Sequence, residues 1–280
     1  MEASGTWTRS RVDDVCVLTF DRPGSGMIRH RDVAELDRLL AQAAVDGEEF
    51  VVLTGTGDVF IRHADLEDLV AMADGRPTSG DPNAWIRVLK ALDRGPFMTV
   101  AAINGQAWGG GLELALTCNL RVIEASATLA FPEVSLGILA GVAAHRVAAA
   151  LPEGRAIELF TTGRVLAADE ALAWGLVSDA VPDGQALSTA LDLCRAMRRY
   201  DHASVLAARD LVLDFRDLDE RARRRLQSQR WDVLATRPEA RARSIAALEG
   251  YARGEDSRTA LGITDWTPHA ERPTSHTQGG

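Results

Sequence analysis

The sequence predicts an α/β fold that gives way to an all-helical C-terminal region. Short apolar runs rich in β-formers alternate with stretches of helical periodicity as far as about residue 150, the pattern of strands packed against helices. From Pro152 onward one amphipathic helix follows another. Within the first of these regimes, Val100 to Leu116 reads as strand, turn, three glycines and helix.

The elements follow in order. Val15–Phe20 is a buried strand, broken by Asp21-Arg-Pro-Gly24. Val33, Leu36, Leu39, Leu40 and Ala43 keep a helical period, with Asp32 placed as its N-cap. Phe50–Thr54 is a second strand, ended by Gly55-Thr-Gly57, and Trp85, Ile86, Val88, Leu89 and Leu92 mark the apolar face of a helix over 83–92. Met98–Ile103 is a third strand, turned by Asn104-Gly105, and a helix runs from about Gly109 to Thr117 before the strand Leu120–Ile123. Later helices are expected over 153–161, 168–173, 184–199, 202–215, 218–235 and 238–252. The last three carry charge on one side and aliphatic residues on the other, so their apolar faces require burial on the main domain or on another subunit.

Composition narrows the function. The net charge of −9 argues against nucleic acid or an anionic membrane surface as the main partner. No apolar run approaches a membrane span, and the N-terminus has no basic stretch followed by an apolar one, so neither a membrane nor a signal peptide is expected. Cys16, Cys118 and Cys194 fit no zinc spacing and no disulfide framework, which predicts no metal site and a reduced, cytoplasmic setting. Lys90 is the only lysine, so positive charge here is almost wholly guanidinium.

The chemistry-bearing candidates lie in two segments. Gly109, Gly110 and Gly111 at a helix start let a ligand approach backbone N–H groups, where the helix dipole favours negative charge. Glu113 lies in the first turn of that helix, so one element supplies both an oxyanion donor and a carboxylate base. Read alone, the segment serves close packing and dipole compensation equally well. It is neither a dinucleotide fingerprint, for which the spacing is wrong, nor a phosphate loop, for which Gly-Lys-Ser/Thr is missing. Glu133 follows Pro132 among apolar residues. Such a carboxylate is either partly desolvated and fit to donate a proton, or a solvated loop residue.

Residues 104–115, Asn-Gly-Gln-Ala-Trp-Gly-Gly-Gly-Leu-Glu-Leu-Ala, closely resemble the motif around the second oxyanion-hole glycine of the crotonase (enoyl-CoA hydratase/isomerase) superfamily. Phe-Pro-Glu-Val-Ser-Leu-Gly-Ile (131–138) resembles that family's second-glutamate segment, and Val51–Phe60 with Ala64-Asp65-Leu66 its first oxyanion segment. Gly163–Val177 is similar to a further stretch of the same family, and the resemblance runs from about Val15 to Tyr251. It implies a crotonase-like spiral of strand–strand–helix turns over 1–200, a C-terminal helical trimerisation region over 201–255 and a mobile tail over 256–280. It also implies an enolate formed from a thioester and held by the N–H groups of Ala64 and Gly110, with Glu113 and Glu133 handling water and proton as in the family's hydratases. Substrate contacts are expected from Arg62, His63, Asp65, Leu66 and Gly109. The substrate is expected to be an acyl-CoA, with coenzyme A as part of it and no separate cofactor, and the assembly a homotrimer or dimer of trimers.

The chain departs from the family pattern in places. His63 stands where a glycine is usual and Arg62 where a small residue is usual. They either point outward or contact the substrate. Met27-Ile28 replaces Asn-Ala, and Val142-Ala-Ala-His145 replaces a glycine-rich turn, with His145 a candidate pocket residue. Hydration of a 2-enoyl thioester is the first expectation. Isomerisation, decarboxylation or C–C hydrolysis, with or without CoA, is the second, and a non-catalytic oligomeric binding subunit the third.

Overall fold

The structure is a computed structural model that describes residues 6–141, 144–263 and 266–268. Strands β1 (Thr6–Val12) and β2 (Val15–Asp21) form an antiparallel hairpin, followed by helix α1 (His30–Val45). Next come β3 (Phe50–Gly55), β4 (Val59–Ile61), α2 (Leu66–Ala73) and α3 (Ala84–Arg94). The pattern repeats with β5 (Met98–Ile103), β6 (Gln106–Trp108) and α4 (Gly110–Thr117), then with β7 (Leu120–Glu124), β8 (Thr128–Ala130) and a 3-10 helix over Pro132–Leu136. Helices α5 (Ala144–Ala150) and α6 (Glu153–Thr162), strand β9 (Leu166–Ala167), α7 (Ala168–Ala173) and β10 (Asp179–Val181) complete the sheet region.

Each turn of this repeat places its first strand in one sheet and its second in another. The larger sheet has the order β1-β2-β3-β5-β7-β10 and the smaller the order β4-β6-β8-β9. From β2 to β10 the larger sheet is parallel. This is the predicted spiral of strand–strand–helix turns. Residues 50–54 of β3 and all of β5 are buried, as expected of parallel strands covered on both faces. That double burial explains why their sequences are continuous apolar runs.

Three short strands of the smaller sheet escape periodicity because each spans three residues, too few to show an alternation. β1 escapes because, apart from Val12, its exposed positions are Thr8, Ser10 and Arg11. The expected N-cap at Asp32 is corrected: the helix begins at His30 after Arg29, and Asp32 sits in the first turn. Its carboxylate accepts the Arg29 N–H at 2.9 Å, so the residue still satisfies a helix-end donor, but from inside the helix.

Asn104 joins the two sheets. Its Oδ1 accepts the Gly55 N–H at 2.9 Å, and its Nδ2 donates to the carbonyls of Gly57 and Val59 at 3.0 and 3.2 Å. One side chain thereby fixes the β3–β4 turn against the β5–β6 turn.

The residues to Leu191 form one compact unit and Asp192–Trp266 a second, a division within α8 (Ala186–Arg198) rather than at residue 200. The second unit holds α9 (His202–Asp214), a 3-10 turn over Phe215–Asp217, α10 (Glu220–Ala235), α11 (Pro238–Ala252) and α12 (Ser257–Leu261). Asp201 caps α9 through the Ser204 N–H at 2.9 Å and also accepts Arg237 at 2.6 Å. The expected tail over 256–280 is corrected in its first part, because Asp256 caps α12 through the N–H groups of Arg258 and Thr259. Residues 264–265 and 269–280 lie outside the described residues. Among the described residues, no helix is long and apolar enough to cross a membrane, and no group of three or more His, Cys, Asp or Glu is placed to hold a metal.

Candidate active site

The segment after β4 is held in place by backbone pairing. A parallel bridge links Ile28 to Ala64, with the Ile28 N–H donating to the His63 carbonyl and the Asp65 N–H to the Ile28 carbonyl, each at 2.8 Å. In such a bridge the N–H of the central residue faces the other way. The Ala64 N–H is therefore directed away from Ile28, and no group among the described residues accepts it.

Facing it is the start of α4. Gly111 is packed so closely that a Cβ there would lie 2.0 Å from the Ile61 carbonyl oxygen, and a Cβ on Gly110 would lie 3.4 Å from the Ala64 nitrogen. The close approach of two backbones brings Gly110 beside the Ala64 nitrogen. Gly110 lies in the first turn of the helix, where N–H groups have no intrahelical acceptor. Gly109 has φ of +48°, a conformation that favours glycine.

Glu113 and Glu133 reach the same place from two elements. The Glu113 N–H donates to the Gly109 carbonyl at 2.9 Å, which sets the carboxylate in the first turn of α4. Glu133 is fixed by its 3-10 helix: Pro132 begins it, Gly137 closes it in the left-handed region, and the Ile138 N–H returns to the Glu133 carbonyl at 3.2 Å. The Phe131 ring packs on Phe160 at 4.7 Å between centroids and anchors the segment. Glu113 and Glu133 are buried, at 5% and 6% exposure.

A cavity of about 290 Å³ is lined by Ala64, Gly110, Glu113 and Glu133 together with His63 and His30. Leu69 and Met72 of α2, Trp85 and Ile86 of α3, and Ile138 and Leu139 supply an apolar wall. A smaller cavity of about 130 Å³ shares Glu133, Ile138 and Leu139 and adds Phe131 and Phe160. Burial pushes the Glu133 carboxyl above the ordinary glutamate range; its own backbone N–H and the His63 charge oppose this, while Glu113 adds to it.

The sequence-predicted residues divide. Ala64, Gly110, Glu113, Glu133 and His63 meet at one cavity. Gly109 lies at their junction, since a Cβ there would stand 2.6 Å from both Glu133 Oε1 and the His63 ring. Asp65 does not join them. Its buried carboxylate accepts Arg22 at 2.8 Å, Arg29 at 3.1 Å and the Glu67 N–H at 3.0 Å. It caps α2 and fixes the loop. Burial works against its charge, but these donors hold it below the ordinary aspartate range. Leu66 is exposed and outside the lining, where Leu69 and Met72 take the place expected of it. Arg62 lines a different, polar cavity of about 230 Å³ with Arg22, Gly24 and Asp58. His145 is exposed at the start of α5 and is not part of the lining.

His30 went unseen in the sequence. It opens α1, its N–H donates to Asp68 Oδ2 at 2.7 Å, and its Nδ1 lies 3.8 Å from the same oxygen. Asp68 is set in turn by the Ser79 hydroxyl at 2.7 Å and the Ser79 N–H at 2.6 Å. The Ile28–Ala64 bridge and the His30–Asp68 bond bring the start of α1 to the cavity, and nothing in the local sequence marks those pairings.

The fold and this site define an α/β protein with paired backbone donors opposite two buried carboxyl groups. Residues 10–252 match the enoyl-CoA hydratase/isomerase family, and the chain belongs to that family, the crotonase superfamily of the motif resemblance. It is 35% identical over 202 residues to the fatty acid oxidation complex subunit alpha of Shewanella loihica, covering 69% of this chain and 29% of that protein. The chain therefore spans less than a third of that relative's length. It is 32% identical over 171 residues to a probable enoyl-CoA hydratase of Bacillus subtilis, covering 60% and 66% of the two chains. A solved enoyl-CoA hydratase from Polaromonas sp. JS666 shares the fold, with a TM-score of 0.80 at 20% identity over 90% of this chain and 98% of that one.

Proposed function

We propose that the chain adds water across the double bond of a 2-enoyl-CoA thioester. The observation that carries this is the meeting of Glu113 and Glu133 at one cavity with the N–H groups of Ala64 and Gly110. In this reading the two N–H groups hold the thioester oxygen as it becomes an enolate oxyanion, and pre-aligned donors of this kind lower a barrier by several kcal/mol, about 3 for one of them. Glu113 takes a proton from water as oxygen bonds to the β-carbon. Glu133, kept protonated to higher pH by its burial, gives a proton to the α-carbon. The apolar wall suits an acyl chain. Coenzyme A is part of the substrate, and the reaction as proposed calls for no metal or redox cofactor.

The test is mass spectrometry of acyl-CoA and non-CoA carbonyl substrates incubated with the protein in D2O. The expected product has gained one water and keeps one deuterium on the α-carbon after return to H2O. Consumption of a β-diketone, or migration of the double bond without hydration, would assign a different chemistry to the site.

Arg62 is proposed to meet a CoA phosphate from its own polar cavity. Arg62 lines that cavity, and its Nε has no acceptor among the described residues. Arg62→Ala is expected to raise KM for a CoA substrate about fivefold at low salt with kcat little changed, matching the ~1 kcal/mol of a partly exposed charged contact. The effect shrinks at high ionic strength. Steady-state kinetics at two salt concentrations decides it, and an unchanged KM in both places Arg62 outside the binding site.

We also propose a homotrimer or a dimer of trimers in the cytoplasm. Val212, Trp231, Val233 and Leu248 of the second unit are each about two-thirds exposed, an apolar surface that association covers. Light scattering at micromolar concentration is expected to give a multiple of three chains; a monomer contradicts the assembly. The three buried thiols support a reducing compartment, and recovery in a secreted or membrane fraction contradicts it.

A further inference from the structure

His63 carries a tautomer that the fold dictates. Its Nδ1 lies 2.8 Å from the Ala64 carbonyl oxygen. A carbonyl only accepts, so Nδ1 must hold a hydrogen. In the neutral ring Nε2 then presents a lone pair, and Nε2 faces Glu133 Oε1 at 3.8 Å. Both His63 Nε2 and Glu133 Oε2 are buried with no hydrogen-bond partner among the described residues.

A lone pair set opposite a carboxylate in a buried site repels it, and a single proton between the two removes the repulsion. The proton rests either on Glu133, which then donates to Nε2, or on Nε2, which then pairs as imidazolium with the carboxylate. A movement of about 1 Å brings the pair to hydrogen-bond length in either state. Gly109 makes the pairing sterically possible, because any Cβ there would fall 2.6 Å from each partner. Backbone pairing fixes one partner through the Ile28–Ala64 bridge, and the 3-10 helix fixes the other. The other titratable groups lining the cavity are Glu113 on α4 and His30 on α1, with Asp68 beside His30.

We propose that His63 and Glu133 share one proton, and that His63 is a positioning residue that keeps Glu133 charged with the proton it delivers. This rests on the hydration proposed above. In that reaction the Glu133 O–H bond breaks as the enolate electron pair forms the α-C–H bond. Water loses its proton to Glu113 as its oxygen bonds to the β-carbon. One proton has left Glu133 and one has arrived on Glu113, so a single transfer from Glu113 back to the His63–Glu133 pair restores the site without an outside acid. A proton held between two such groups belongs to the pair rather than to either one, so removing His63 is expected to change the pH range over which the acid is ready.

The experiment joins two readouts. In protein labelled with ¹⁵N-histidine, the His63 signals are assigned by their loss in His63→Gln. Nδ1 is expected to carry the proton, and the Nε2 signal is expected to move in Glu133→Gln while that of His30 stays in place. In kinetics with an enoyl-CoA, His63→Gln is expected to lower kcat about tenfold, less than the hundredfold or more of removing an acid–base group outright. KM should change less than threefold, and the alkaline limb of the kcat profile should move to lower pH. A proton on Nε2 with Nδ1 bare, or an Nε2 signal indifferent to Glu133, overturns the shared proton. An alkaline limb unmoved in an active His63→Gln overturns the positioning role. If the wild type fails to hydrate any enoyl-CoA, hydration is wrong, and the NMR readout still decides the pair.

Discussion

Glu133→Gln and Glu113→Gln are each expected to lower kcat by on the order of 10²-fold or more, the range of a general acid–base group, while the fold persists. Both side chains line the cavity from segments fixed by backbone bonds, so amide replacement keeps shape and removes proton exchange. Glu133→Gln has a second expected result. Burial holds the folded-state pKa of Glu133 above the ordinary value. A group raised on folding contributes stability that is fully present below its unfolded pKa and is lost as pH rises through its folded pKa. Glutamine keeps the neutral state at every pH. Its melting temperature should therefore match the wild type below about pH 4, the ordinary glutamate range, and exceed it at neutral pH. Thermal melts across pH and steady-state kinetics test the two results together. Near-normal hydration by either folded variant removes that residue from the chemistry, and a melting difference that does not grow with pH removes the burial penalty.

Gly111→Ala is expected to lower both stability and activity. The new Cβ would stand 2.0 Å from the Ile61 carbonyl oxygen and 2.8 Å from its carbon. The obstacle is backbone, so one of the two segments must move. Overpacking of this kind costs about 1–3 kcal/mol or more, a fall of roughly 2–4 °C in Tm for each kcal/mol in a chain of this size. The movement also parts Gly110 from Ala64, and loss of one oxyanion donor costs about 10²–10³ in kcat. Gly154→Ala is the control. It lies in α6 with nothing within 4 Å of its Cβ position, and should leave kcat unchanged and Tm equal or higher. Normal activity in Gly111→Ala would mean that the paired N–H groups do not depend on this contact.

Much of the large sheet was legible in the sequence. β2, β3, β5 and β7 are apolar runs because parallel strands are buried on both faces, and α1, α3 and α6 show their period because each buries one side. Glu113 was legible for a local reason, since its glycines, turn and helix are contiguous in the chain. Glu133 was legible as a carboxylate among apolar residues, although its role as proton donor rests on burial that the sequence suggests and tertiary packing supplies.

Other features depend on contacts between distant residues. Asp65 looked like a site residue from its neighbours, yet Arg22 and Arg29 take its carboxylate across 43 and 36 residues of chain. His30 enters the cavity where Ile28 pairs with Ala64 and the His30 N–H meets Asp68, 38 residues on. Sequence by itself determined the main strands of the larger sheet, the glycine-rich helix start and the two carboxyl groups, because each is encoded within one turn or one strand. Tertiary structure decided which side chains share the cavity. His63 meets Glu133, 70 residues on, because Gly109 leaves the gap between them, and Arg62 beside it lines a separate cavity. Local sequence sets backbone conformation, whereas proximity across the spiral follows from how its turns stack.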